Sequence, residues 1–215
     1  MNTHMEIILA SSSPRRQQLL GKIVNDFSTI PSNIDENKIK DVEKNPENLV
    51  KRLSEAKAFD VFNRLYKKDD KEFTVIGSDT VVSFNNKILG KPFDRNDAIR
   101  MLKLLQNNSN DVYTGTSVII RKEHSIIIET FASKSTVYFK HMEFYDILNY
   151  VNSGEPLDKA GAYAIQGNGK NYLKGYDGDY DSIVGLSTSK IKNIFDKYNV
   201  LIKRSIEENE CEILK

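Results

Sequence analysis

Tryptophan is absent from the 215 residues, and cysteine occurs once, at Cys211. A lone cysteine excludes an internal disulfide framework and makes a reducing compartment the expected setting. No apolar run approaches the ~20 residues that a membrane-spanning helix needs, and the first residues lack the apolar core of a signal peptide. The expectation is a soluble, cytoplasmic protein with no membrane partner. Charge of one sign is missing as well: 31 Lys and Arg stand against 30 Asp and Glu, for a formal net charge of +1. Bulk electrostatics therefore gives no reason to expect nucleic acid, and any anion site has to be local. The histidines, His4, His124 and His141, are scattered and share no spacing with cysteine, which argues against zinc.

What is present organises into alternating helical and extended patterns. Ile7-Ile8-Leu9-Ala10 reads as a buried strand that breaks into Ser11-Ser12-Ser13 and enters a helix with Pro14 first and Ser13 as its N-cap. Phe27 to Pro31 reads as a short strand. Pro46 to about Tyr66 is helical, with Leu49, Leu53, Ala56, Phe59, Phe62 and Leu65 at helical spacing. After a charged break at 67–72, Phe73 to Ile76 is a buried strand that stops at Gly77-Ser78-Asp79-Thr80, with Val81 to Phe84 strand-like beyond it. Asn85-Asn86 suits a hairpin turn, and Asp94 a helix cap before about Asn96 to Leu105. Val112 to Arg121 and Ser125 to Phe139 pair as antiparallel neighbours. Glu143 to Val151 is a short helix and Ser187 to Tyr198 a final one. The glycines between Ser153 and Tyr180 suit tight turns rather than regular structure. The fold class is α/β, a mixed twisted sheet flanked by helices. Residues 1–202 form one domain and 203–215 a polar tail.

Charged residues fall beside sharp backbone turns at several points. At the first helix start, free amides, the hydroxyls of Ser11 and Ser13 and the guanidinium groups of Arg15 and Arg16 converge as a phosphate pocket would require; a capped helix with two solvated arginines is the bland alternative. Asp35-Glu36 is either a solvated acidic loop or part of a site. Lys57 lies four residues after Leu53 on an apolar helix face, where it either snorkels or points into a site. Asp79 ends a buried strand, and carboxylates are rarely buried unless paired, metal-bound or catalytic. Lys91 sits between Gly90 and Pro92. The P-loop, dinucleotide and nucleophile-elbow motifs are absent. What remains is a set of cations (Arg15, Arg16, Lys57, Lys91) and of carboxylates (Asp35, Glu36, Asp79). Together they suit in-line attack of water on a polyphosphate.

These residues carry a family resemblance. Leu9-Ala10-Ser11-Ser12-Ser13-Pro14-Arg15-Arg16, Ile76-Gly77-Ser78-Asp79-Thr80-Val81-Val82, Leu89-Gly90-Lys91-Pro92, the run from Gly154 to Gly167, Gly178-Asp179-Tyr180 and Val184-Gly185-Leu186 resemble the Maf proteins. The blocks stand in family order from residue 6 to about 200. The resemblance implies a Maf/ITPase-like fold of two lobes around a cleft. It also implies hydrolysis of a nucleoside triphosphate between its α and β phosphates, with a divalent cation such as magnesium or manganese. Asp79 matches the proton acceptor and Arg15, Arg16, Lys57 and Lys91 the polyphosphate cations. Glu36 matches a second essential carboxylate, and Glu36 with Asp79 would hold the metal. Lys159 and Gln166 lie in the long glycine-rich block on the substrate side.

The branch acting on dTTP and UTP is similar at Arg15, Thr80 and Gln166, whereas the branch acting on 7-methyl-GTP carries glutamine after the acid and glutamate in place of Gln166. A glutamine amide both donates and accepts, so it can read the imide edge of uracil or thymine. The alternative from another class is a non-catalytic nucleotide-binding regulator of cell division. Family members are often homodimers, although the chain shows no distinctive interface stripe. Ser187 stands where the family usually has proline, and Lys38 to Asn45 is more charged than the pattern requires.

Overall fold

The computed structural model describes residues 5–66, 71–122 and 125–200. The expectations for His4, His124, part of the charged break (67–70) and the tail at 203–215 with Cys211 lie outside the described residues. Among those described, β1 (Glu6–Leu9), β2 (Ser28–Thr29), β3 (Phe73–Phe84), β4 (Lys87–Leu89), β5 (Ser109–Lys122), β6 (Ser125–Phe139) and β7 (Leu173–Asp177) form one sheet. Its order is β2-β1-β3-β5-β6-β7, with β4 added to β3. β2, β1 and β3 run parallel, and every other pairing is antiparallel. The helices are α1 (Pro14–Leu20), α2 (Asn37–Lys40), α3 (Pro46–Tyr66), α4 (Arg95–Leu105), α5 (Phe144–Asn152), α6 (Tyr180–Val184) and α7 (Thr188–Lys197). The mixed α/β sheet is the one expected.

β1 is apolar on both faces because both are covered. Ile7 and Leu9 pack with Ile76 and Phe195 on one side, and Ile8 and Ala10 with Val61 and Val75 beneath α3 on the other. A second core joins Val82 and Val112, from the far halves of β3 and β5, to Leu102 and Ile147 of α4 and α5. The two lobes are thus two ends of one sheet. Local signals set several boundaries. Asn45 Oδ1 accepts the Asn48 amide at the start of α3, and Asp94 Oδ1 accepts the Asp97 amide at the start of α4. Asn85 and Asn86 carry positive φ of 49° and 60° in the β3–β4 hairpin.

Three expectations are corrected. β3 does not stop at Gly77 but continues to Phe84, in unbroken register with β5. Gly77 marks a close approach instead of a strand end. A Cβ there would lie 2.3 Å from the Ser54 carbonyl oxygen, and one on Gly115 would lie 2.1 Å from that of Val50. Helix α3 therefore lies directly on the strands. Second, the glycine-dense stretch contains β7 after three short 3-10 turns. That edge strand buries only Leu173, so it leaves no alternation to read. Third, Ser13 occupies the N-cap of α1 without a capping bond from its side chain; its own amide donates to Ser11 Oγ at 3.1 Å. Ser187, the unusual residue before α7, is buried and donates to Asp179 Oδ2 at 2.6 Å.

Gly115→Ala tests the contact between α3 and the sheet. The Val50 carbonyl is backbone and cannot rotate away, so we expect a loss of about 3 kcal/mol or more. Thermal unfolding should show Tm lowered by roughly 6–12 °C.

Candidate active site

β1 pairs with β3 only as far as Ile76, and β4 begins pairing at Val82. Residues 77–81 of β3 are left without a neighbouring strand on that edge, and a cleft opens there, beyond the carboxyl end of the parallel strands. Its volume is about 1060 Å³, at the upper end of the roughly 300–1,000 Å³ usual for small-molecule sites. Eleven of the twelve residues singled out in the sequence border it. Ser11, Ser13, Arg15 and Arg16 come from the β1–α1 turn, Glu36 from the N-cap of α2, and Lys57 from α3. Asp79 and Thr80 come from β3, Lys91 from the loop after β4, and Lys159 and Gln166 from the glycine-rich segment. Asp35 does not join them. It is exposed, and its Oδ1 accepts the Asn37 amide at the head of α2.

Consecutive strand residues point to opposite faces, so Asp79 and Thr80 serve different walls. Asp79 faces α3, opposite Gly115. Lys57 does not snorkel: it is only 8% exposed, and its Nζ lies 2.5 Å from Asp79 Oδ1 and 2.8 Å from Glu36 Oε1. Asp79 Oδ2 has no hydrogen-bond partner among the described residues. Both oxygens of Glu36 are engaged, because Lys40 Nζ reaches Oε2 at 2.5 Å. Burial works to raise the Glu36 pKa, but the charge of Lys57 and the bonds from Lys40 and Lys57 outweigh it. The carboxyl group is held at about 2.

On the other wall, Arg16 Nε donates to the Gly185 carbonyl at 3.0 Å and Nη2 to Thr80 Oγ1 at 3.3 Å. Its remaining three N–H groups, and its charge, have no direct partner among the described residues. Arg15 lies at the rim, 3.7 Å from Asp158, which also holds the ammonium group of Lys159. Lys91 is exposed and has no partner among the described residues. The same holds for the half-buried amide of Gln166. Lys40, Asp158 and Thr114 were not foreseen. Lys40 stands four residues after Glu36 and Asp158 beside Lys159, so spacing could have suggested both. Thr114 has no sequence signal, because its role depends on strand register.

No group of three or more His, Cys, Asp or Glu side chains suited to a metal ion exists among the described residues. A cage made only of protein ligands is therefore absent there. Glu36 and Asp79, separated by one shared ammonium group, nevertheless fit the way Mg²⁺ is commonly held, by one or two carboxylates with phosphate and water completing the shell.

These features define an α/β protein with a cation-lined, acid-bearing cleft suited to a polyanionic ligand. The family model described as Maf-like protein matches residues 6–198. A dTTP/UTP pyrophosphatase of Clostridium botulinum (strain Kyoto / Type A2) is 41% identical over 194 residues, 90% of this chain and 97% of the relative. The dTTP/UTP pyrophosphatase of Thermoanaerobacter sp. (strain X514) is 42% identical over 193 residues, covering 90% and 96%. That of Clostridium perfringens is 40% identical over 198 residues, covering 92% and 100%. The chain belongs to the Maf family. No helix among the described residues is long and apolar enough to cross a membrane.

The depressed Glu36 value has a stability consequence with a definite sign. The ionised carboxylate stabilises the fold fully above its ordinary 4.5, and this contribution is lost as pH falls toward about 2. Metal-free protein should therefore lose Tm between pH 4.5 and 2, and Glu36→Gln should flatten that part of the profile. A Glu36→Gln profile as steep as the parent's would contradict the assignment.

Proposed function

We propose that this protein is a nucleoside triphosphate pyrophosphatase acting on dTTP and UTP, releasing the monophosphate and pyrophosphate, with a divalent cation, in the cytoplasm. The observation that carries this reading is the Lys57-bridged pair Asp79 and Glu36, standing in one cleft with Arg16, Lys91 and Gln166, whose polar groups remain available. The relatives' names and the family match support the substrate class. We take residues 1–202 as the catalytic domain and 203–215 as a tail.

Asp79 is the general base. Lys57 holds Oδ1, and Oδ2 accepts a proton from the attacking water. The water oxygen bonds to phosphorus as the bridging P–O bond between the α and β phosphates breaks, and the electron pair leaves with pyrophosphate. Arg15, Arg16, Lys91 and Lys159 neutralise the phosphate oxygens and orient the chain for in-line attack, while Ser11 and Ser13 line its path. A divalent ion would be held by Glu36 and Asp79 together with the substrate's own phosphates, and would supply further charge neutralisation. Gln166 presents donor and acceptor to the base. A mismatched edge leaves buried polar groups unpaired, at ~1–3 kcal/mol each.

The test is product analysis by ion-exchange chromatography across a panel of triphosphates, with magnesium or manganese. UTP and dTTP should yield monophosphate and pyrophosphate. Asp79→Ala should lower kcat by roughly 10²–10⁴-fold. Gln166→Glu should lower kcat/KM for UTP relative to GTP by roughly ten- to a hundredfold. Release of a diphosphate and orthophosphate, or full activity in Asp79→Ala, overturns the mechanism. Tight binding without any product would favour a regulatory role.

A further inference from the structure

The hydroxyl of Thr80 has no proton left to donate to a base, and counting protons shows why. Thr114, on β5 directly opposite Thr80, is completely buried, and its Oγ1 donates its only proton to the Ser182 carbonyl at 2.6 Å. The 2.9 Å contact between the two threonine hydroxyls must then run from Thr80 to Thr114. Thr80 has thereby used its single proton. A lone pair of Thr80 accepts Arg16 Nη2, so the chain is directed from Arg16 to Thr80 to Thr114 to Ser182.

Both ends of this chain rest on α6. Arg16 Nε donates to the Gly185 carbonyl, just past the helix, and Thr114 to the Ser182 carbonyl within it. A five-residue helix leaves its last carbonyls without intrahelical donors, and these two oxygens are satisfied by the array. Ser78 Oγ adds a 2.9 Å contact to the Gly185 carbonyl and is itself fully buried. The guanidinium is therefore held by neutral oxygens at two of its five N–H groups, with its charge left for a ligand. Directed chains of this kind polarise along their length and fix orientation.

We infer that Thr80 and Thr114 are positioning residues that aim Arg16 at the polyphosphate, and that Thr80 governs substrate use through Arg16 rather than by touching the base. This rests on the pyrophosphatase reading for its kinetic arm only. The array holds a guanidinium whatever the ligand, so a binding arm is independent of turnover. Thr80→Val and Thr114→Val keep side-chain volume while deleting the hydroxyl, and Thr80→Ser restores it.

Calorimetry with inorganic tripolyphosphate, without metal, should show affinity lowered roughly tenfold in Thr80→Val and Thr114→Val and restored in Thr80→Ser. In steady-state kinetics both valine variants should lower kcat/KM by the same factor for UTP, dTTP and GTP, because the defect lies at the phosphates. The double variant should be no worse than the poorer single one, and Thr114→Val should have no further effect in an Arg16→Lys background. Should Thr114→Val fail to fold, Thr80→Val, at a half-exposed position, carries the same test. The inference is overturned if Thr80→Val changes discrimination between UTP and GTP while tripolyphosphate affinity stays unchanged. It is equally overturned if Thr114→Val matches the parent in both assays. Absence of pyrophosphate release in the parent protein would sink the enzymatic reading and leave the calorimetric result to decide this one.

Discussion

One ammonium group shared by two carboxylates organises the centre of this molecule. Lys57 comes from α3, Asp79 from β3 and Glu36 from the head of α2, so three elements must meet before the charges are matched. Removing one partner of such a buried pair generally costs about 3–5 kcal/mol, because the other is left uncompensated. The meeting is possible only because α3 lies against the strands with nothing between. Gly77 and Gly115 leave room for that approach where a Cβ would clash with the α3 backbone, and Gly115 sits opposite Asp79. Packing geometry and site electrostatics are here one constraint.

The remaining charges of the cleft sort by what already holds them. Lys57 is committed to protein carboxylates. Arg15 and Lys159 share the exposed Asp158 at the rim, where a ligand's anionic oxygen would compete with a well-hydrated carboxylate. Arg16 is tied by neutral oxygens, and Lys91 by nothing among the described residues. Burial lowers the Arg16 pKa, and Asp79 works to raise it, so the guanidinium has reason to gain from an incoming anion. Fixed donors that keep their charge unneutralised need little reorganisation when an anion arrives.

Much of the local structure was legible because the signals were local. Pro46 and Tyr66 bound α3 as the apolar spacing predicts, Asp94 caps α4, and two asparagines with positive φ make the β3–β4 turn. The reading failed where a residue answers to something distant. Gly77 looks like a strand end but is a contact point for Ser54 and Ala58 of α3, in a different element earlier in the chain. β7 is an edge strand, without the alternation that burial on one face produces. Thr80 invites a direct substrate role from its place beside Asp79. Only the pairing with Thr114 reveals where its proton goes.

The order of residues alone determined which chemistry was available. It supplied an acid in a buried apolar strand, a lysine on an apolar helix face, two arginines after a serine-rich turn, and a glutamine in a glycine-rich block. These are properties of side-chain type and short-range spacing, and spacing survives in one dimension. The tertiary structure alone decided that Lys57 would bridge Asp79 and Glu36 and that Thr80 would hold Arg16. Those assignments depend on strand register and on how closely a helix can approach a sheet, which are set by packing among segments far apart in the chain.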